Sequence, residues 1–258
     1  MADIKEPNSA NASNRNPVKA GKSCEYMTYS AREAYKRLRT NVMISLGEKS
    51  ETDRHVIGVT SAQPSEGKST VSVNLAYSLA ELGKSVVLLD CDLRRPTIHT
   101  KLGFQQIPGL TEVLTGKENL NNAVTCYKNT TGDNSFDVIA SGSISERPSE
   151  ILSSKNFIQL LNGLKTVYDI VILDLPPVNA VIDATVVSKL TDGLVLIIRE
   201  NHCPRFVLQD CMDQLKYAKA NILGFVMNGS VNGAGKRYQY GKAYRYSNDY
   251  RYSSYYGK

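Results

Sequence analysis

Tryptophan is absent from the 258 residues, and histidine is limited to His55, His99 and His202. Five cysteines stand at Cys24, Cys91, Cys126, Cys203 and Cys211, with no C-x-x-C pair among them. Scattered imidazoles and unpaired thiols argue against a zinc cluster. An odd cysteine count without paired spacing also argues against a disulfide framework, which points to free thiols in a reducing compartment. No stretch approaches the roughly 18 apolar residues of a membrane-spanning helix. The first 17 residues, Met1 to Pro17, are Asn- and Ser-rich without an apolar run and do not resemble a signal peptide. A cytoplasmic chain is expected, reaching the inner face of a membrane only through a partner. An excess of acid is missing too. The 31 Lys and Arg against 25 Asp and Glu leave +6, a balance compatible with nucleic acid, anionic membrane or acidic partners that selects none of them.

The 41% hydrophobic and 22% charged content is that of a globular protein, and the length suits one large α/β domain with tails. Residues 1–25 are too polar to fold alone. A helix is expected from Tyr29 to about Leu46, with Ser30 as N-cap and Glu33 three residues on. Apolar runs then alternate with amphipathic stretches. Strands are expected at 55–60, 85–90, 136–140, 169–174, 193–198 and 222–227. Helices are expected at 68–82, 148–164, 183–190 and 204–218. Strand–helix alternation of this kind predicts a doubly wound, mostly parallel sheet with helices on both faces. Such sheets bind ligands at the C-terminal ends of their strands. The domain is expected to run over 26–228, and a polar tail over 229–258.

Ala62-Gln-Pro-Ser-Glu-Gly67-Lys68-Ser69-Thr70 follows the first strand and opens a helix, the setting of a P-loop. Loop amides and a helix N-terminus bind phosphate oxygens. Gly67 allows close approach, Lys68 places a cation on the β and γ phosphates, and the Ser69 hydroxyl suits Mg²⁺. The usual first glycine is replaced by Ala62. Gln63, Pro64, Ser65, Glu66, Gly67, Lys68, Ser69 and Thr70 are therefore the candidate ATP cradle. Arg199 and Asn228, at the ends of late strands, are candidates for the adenine. Val86-Val-Leu-Leu-Asp90-Cys91-Asp92-Leu93-Arg94 is a strand running into Asp-x-Asp-x-Arg. Val171-Ile-Leu-Asp174 ends in an acid and is halted by Pro176-Pro177. Acidic strand ends beside a phosphate cradle suit Mg²⁺, which keeps several waters. Taken singly, an Asp at a strand end is also an ordinary turn former or cap.

In this order the three segments resemble the Walker A, A′ and B motifs of the bacterial tyrosine kinases, the BY-kinases, over about residues 26–258. The resemblance implies a P-loop fold, ATP and Mg²⁺ as cofactors, and tyrosine phosphorylation. It implies Lys68, Asp90, Asp92 and Arg94 as the catalytic set, Asp90 as proton acceptor, and Ser69, Asp92 and Asp174 around the metal. Glu33-Ala-Tyr-Lys36-Arg37-Leu-Arg39 resembles the helix through which such kinases form rings, an octamer in the form implied, with Glu33, Lys36 and Arg39 at the interface. Lys36 stands where the family has Arg, and a lysine makes no planar bidentate pair with a carboxylate. The same segment also fits a plain solvated helix.

Eight of the 15 tyrosines crowd the tail: Tyr238, Tyr240, Tyr244, Tyr246, Tyr250, Tyr252, Tyr255 and Tyr256. They alternate with Lys and Arg, and Asp249 is the one acid among them. This resembles an autophosphorylated cluster. The resemblance further implies a separate membrane activator, a cognate tyrosine phosphatase, and a role in capsule or exopolysaccharide synthesis and export. A Min/Par-type ATPase switch shares the sheet and the Mg²⁺ logic, but its P-loop carries a second lysine where this chain has Gln63. A nucleotide-gated module whose Tyr/Arg tail stacks on single-stranded nucleic acid is a third reading. The A′ segment favours the kinase, and no nucleic acid partner is expected.

Overall fold

The computed structural model describes residues 18–19, 27–47, 53–128 and 134–229. The strands are β1 (Val18–Lys19), β2 (His55–Ser61), β3 (Val86–Asp90), β4 (Val124–Lys128), β5 (Ser135–Ile139), β6 (Ile170–Asp174), β7 (Gly193–Arg199) and β8 (Ile222–Asn228). They form one sheet in the order β1-β4-β5-β3-β6-β2-β7-β8. Every neighbouring pair is parallel except β4–β5. The central strands are buried along almost their whole length, which is why their sequences are dominated by apolar residues.

Helices α1 (Tyr29–Leu46) and α2 (Lys68–Ala80) pack together on one face. Short α3 (Ile98–Leu102), α4 (Leu110–Leu114), α5 (Leu120–Ala123) and α6 (Pro148–Leu152) connect strands, and α7 (Lys155–Val167), α8 (Asp183–Ser188) and α9 (Arg205–Tyr217) complete the set. A second apolar cluster, including Phe157, Leu160 and Leu164 of α7 and Cys211 and Leu215 of α9, covers the opposite face. Helix α2 is buried along almost its whole length, with Leu75 and Leu79 at 0% exposure. Burying side chains of this size contributes about 1.5–3 kcal/mol each, so the helix behind the loop is among the most firmly held parts of the fold.

Several elements depart from the pattern expected. The single helix expected over 148–164 is two, α6 and α7. Ser154 starts a new helix there, its hydroxyl accepting the Phe157 amide at 3.2 Å. The α1 N-cap is Thr28, whose Oγ1 accepts the Ala31 amide at 3.3 Å, and not Ser30. Strands β1 and β4 and helices α3 to α5 were not foreseen. Val18–Lys19 pairs with β4, inside the stretch expected to lack structure.

Candidate active site

Three parallel strands deliver the site. β2 ends at Ser61 and leads into the loop that opens α2. β3 ends at Asp90 and β6 at Asp174, and the sheet register sets these two acids side by side. Beyond the strand ends lies a cleft of about 590 Å³. Its lining includes Pro64, Ser65, Gly67, Lys68, Ser69 and Thr70 from the loop and Asp92, Arg94 and Arg95 from the segment after β3.

The loop is stitched from within by Glu66. Its buried carboxylate accepts the Gln63 amide at 3.0 Å and the Arg199 amide at 3.3 Å. Gly67 has φ +92°, and a Cβ there would stand 2.0 Å from Asn228 Nδ2, so the position demands glycine on both counts. Ala62 is fully buried, and its carbonyl accepts the Asn179 amide at 3.2 Å, so the missing first glycine leaves the turn intact. Among the described residues, no backbone hydrogen bond is donated by the amides of residues 65–70. Unpaired amides at a helix start form an anion cradle.

Lys68 Nζ stands 2.8 Å from Asp92 Oδ2. Burial opposes the lysine's charge, but Asp174 and Asp92 outweigh it and hold its pKa above the ordinary value. Asp174 is fully buried; its Oδ1 accepts from Ser72 at 2.9 Å, and its Oδ2 has no hydrogen-bond partner. Burial pushes Asp174 up, with Lys68 and the Ser69 and Ser72 hydroxyls offsetting part of the shift. Asp90, equally buried, accepts the Asp92, Thr97 and Ile98 amides at 3.3, 3.2 and 3.1 Å. Burial, followed by the neighbouring Asp174 charge, raises its pKa to about 8.

Of the expected catalytic set, Lys68, Asp92 and Arg94 face the cleft and Asp90 does not. Asp90 lies behind Asp92 and holds the turn into α3. Arg94 pairs with Asp183 through Nε at 2.9 Å, and Ser149 also bonds that carboxylate. Asp183 was missed because an acid in the first turn of a helix is an ordinary feature; its full burial shows only in three dimensions. Arg199 and Asn228 brace the loop from outside, bonding the Ser65 carbonyl at 3.2 Å and the Glu66 carbonyl at 2.8 Å, and neither lines the cleft. Glu33 and Lys36 pair with each other at 2.7 Å on the exposed side of α1. Arg39, expected beside them, turns inward to the Ser78 carbonyl of α2 at 2.5 Å and to Glu81 at 3.5 Å. Tyr238, Tyr240, Tyr244, Tyr246, Tyr250, Tyr252, Tyr255 and Tyr256 lie outside the described residues.

These residues fit Mg-ATP. The amide cradle and Lys68 suit phosphates. The unpartnered Asp174 Oδ2, beside a second buried acid and the Ser69 hydroxyl, is a place where positive charge is wanted. Among the described residues no three His, Cys, Asp or Glu side chains form a ready metal cage. A Mg²⁺ held by few protein oxygens, phosphates and waters does not need one.

The ParA family profile, described as NUBPL iron-transfer P-loop NTPase, matches residues 52–247. The tyrosine-protein kinase YwqD of Bacillus subtilis is 37% identical over 210 residues, 81% of this chain and 85% of that protein. The tyrosine-protein kinase CpsD of Streptococcus pneumoniae serotype 4 is 37% identical over 202 residues, 77% and 84% of the two chains. The kinase domain of the Escherichia coli tyrosine kinase ETK superposes with a TM-score of 0.74 at 34% identity, covering 86% of this chain and 84% of that one. With the P-loop, the Asp-x-Asp-x-Arg turn and the buried Asp174 meeting at one end of the sheet, the chain belongs to the bacterial tyrosine-protein kinases, within the wider ParA-type group of P-loop NTPases.

Proposed function

We propose that this chain moves the γ-phosphoryl group of Mg-ATP onto tyrosine hydroxyls, first of all those of its own tail. The observation that carries the proposal is the meeting of Lys68 and Asp92 in an open cleft at the mouth of an unpaired amide cradle. In the transfer the bond from the γ-phosphorus to the ADP oxygen breaks and a bond to the phenol oxygen forms. The phenol proton passes to a carboxylate. Phosphoryl transfer depends mostly on positioning and charge neutralisation. Amides 65–70 and Lys68 would hold the triphosphate, with Thr70 beside it. Ser69 and Asp92, with Asp174 through water, would hold Mg²⁺, which supplies further neutralisation of phosphate charge.

The resemblance gave the proton to Asp90. Asp92 is the carboxylate that borders the cleft, so we assign it the nearer contact with the tyrosine hydroxyl, and Asp90 the role of positioning it through the Asp92 amide. A free phenol titrates near 10, so a carboxylate within reach eases its deprotonation as the new bond forms.

An extended residue spans about 3.3–3.6 Å, so the ten residues from Asn228 to Tyr238 reach at most roughly 35 Å. That reach supports transfer to the tail of a neighbour in a ring built on α1, where Glu33 and Lys36 stand on the exposed side. A membrane activator, a cognate phosphatase and a role in capsule or exopolysaccharide export follow from the family likeness. No helix among the described residues is long and apolar enough to cross a membrane.

Incubation of the purified chain with Mg-ATP, followed by phosphotyrosine detection and mass spectrometry, tests the proposal. Tail phosphotyrosine that is absent from Lys68→Met is the expected result. ATP hydrolysis without phosphotyrosine would instead give a Min/Par-type switch. Where that alternative carries its second lysine this chain has Gln63, whose Nε2 is turned to the His202 carbonyl at 2.7 Å.

A further inference from the structure

The lip of the cleft carries more positive charge than holding ATP and Mg²⁺ requires. Lys68 is balanced by Asp92, and Arg94 by Asp183. Lys101 reaches only a hydroxyl, Thr70 Oγ1, at 3.1 Å. Arg95 is exposed, and among the described residues no carboxylate lies within ion-pair distance of its guanidinium. Its backbone amide bonds Asp92 Oδ1 at 3.0 Å, which fixes the residue at the rim. The two remaining acids, Asp90 and Asp174, are sealed beneath the surface. The entrance therefore presents Arg95 and Lys101 to whatever approaches.

We propose that Arg95, seconded by Lys101, is a specificity-determining residue favouring acceptor tyrosines flanked by a carboxylate, so that Asp249 makes Tyr250 the first tail tyrosine phosphorylated. This rests on the reading of the tail as substrate given above, and the transfer is the same one, from Mg-ATP. Tyr238 follows Lys236 and Arg237, Tyr244 and Tyr246 flank Arg245, and Lys242 lies close to Tyr240. Tyr255 and Tyr256 are followed by Lys258 and have no acid nearby. Arg251 lies between Tyr250 and Tyr252, but only Tyr250 has an acidic neighbour directly before it. Like charges meeting at a rim oppose docking, and opposite charges set register and partner choice. By the same logic, tyrosines in acidic segments of other proteins are better acceptors than most of this basic tail.

An exposed pairing of this kind corresponds to a rate preference of up to about fivefold. The test is a time course of the full chain with Mg-ATP at low salt, each tail tyrosine being followed by mass spectrometry. Tyr250 should lead by that factor. Asp249→Asn should abolish the lead. Arg95→Ala should abolish it while leaving the KM for Mg-ATP in place, and Arg95→Lys should keep it. Raising the salt to about 0.5 M should shrink the lead, because the screening length falls well below 10 Å. A Tyr250 rate equal to its neighbours, or a lead that survives both Asp249→Asn and Arg95→Ala, overturns the inference and leaves the kinase assignment standing. So does a raised KM for Mg-ATP in Arg95→Ala with an unchanged labelling order, which makes Arg95 a phosphate ligand. A chain that forms no tail phosphotyrosine at all overturns the proposed function, and this inference with it.

Discussion

Lys68 stands beside three carboxylates, two of them fully buried. Lys68→Met removes the charge that faces the phosphates but keeps the length of the side chain. Tail labelling should disappear while circular dichroism still shows the native fold; a folded variant labelling at the parental rate would refute the loop assignment. Asp90 and Asp92 are both buried, but Asp92 lines the cleft and Asp90 does not. Asp92→Asn should slow transfer by orders of magnitude with little change in melting temperature. Asp90→Asn sets an amide group against backbone N–H donors and should cost roughly 1–3 kcal/mol as well as activity. Asp90 also sets a pH dependence. Its native pKa of about 8 lies above the ordinary 3.8, so between those values the native state binds more protons than the unfolded one. Stability then falls as pH rises. Without nucleotide or Mg²⁺, the melting temperature should drop from pH 5 to pH 8, and Asp90→Asn should flatten much of that slope. A parental profile that rises across this range would contradict the burial assigned to Asp90.

At the scale of elements, α1 is tied to α2 by Arg39, whose side chain is 13% exposed and whose guanidinium meets the Ser78 carbonyl and Glu81. Arg39→Ala should lower stability by about 1–3 kcal/mol. Lys36→Ala, which breaks only an exposed pair on one helix face, should leave the melting temperature unchanged. Calorimetry on the two variants separates them, and equal melting temperatures would argue against the α1–α2 docking described. The three positions expected to act together at a ring interface thus divide: Glu33 and Lys36 stay available, and Arg39 is spent on the chain's own fold. The split of α6 from α7 has a local cause that periodicity hides. The apolar spacing runs across 148–164, but two serines in succession compete for backbone groups and reset the helix at Ser154.

Across the whole molecule, the charge of the tail is what phosphorylation changes most. From Gly229 onward six Lys and Arg face one acid, Asp249. Each phosphate adds about −1.5 to −2 charges at neutral pH, so three roughly neutralise the tail and further ones turn it acidic. In the ring proposed above, phosphorylated tails would repel one another. Contacts through Glu33 and Lys36 in such a ring would be partly ionic and would weaken with that charge and with salt. Light scattering should find a large species for Lys68→Met and a smaller one for the parent after exhaustive phosphorylation with ATP. Equal masses at matched concentration and salt would end this idea without touching the kinase assignment.

The central sheet and the P-loop were legible in the sequence because both rest on local rules. A strand buried on both faces must be apolar throughout, and a phosphate cradle must place its glycine, lysine and serine consecutively at a helix start. β1 and β4 were not legible: β1 is two residues long, and β4, Val124-Thr-Cys-Tyr-Lys128, lacks the continuous apolar run of β3 and β6 and is defined by its pairing with β5. Among the site residues, sequence brought Asp90, Asp92, Arg94 and Asp174 to notice as acids and a base after strands. Tertiary structure decided which of them meets the cleft. Asp90 and Asp92 are two residues apart and chemically alike. One is turned under the chain by the Thr97 and Ile98 amides and the other is turned out to Lys68. The partner of Arg94 is 89 residues away, and that of Arg39 is 39. Residue type and spacing determine which chemistry a chain can carry. Burial and long-range pairing, fixed only when the sheet closes over its helices, determine which of the eligible side chains carries it.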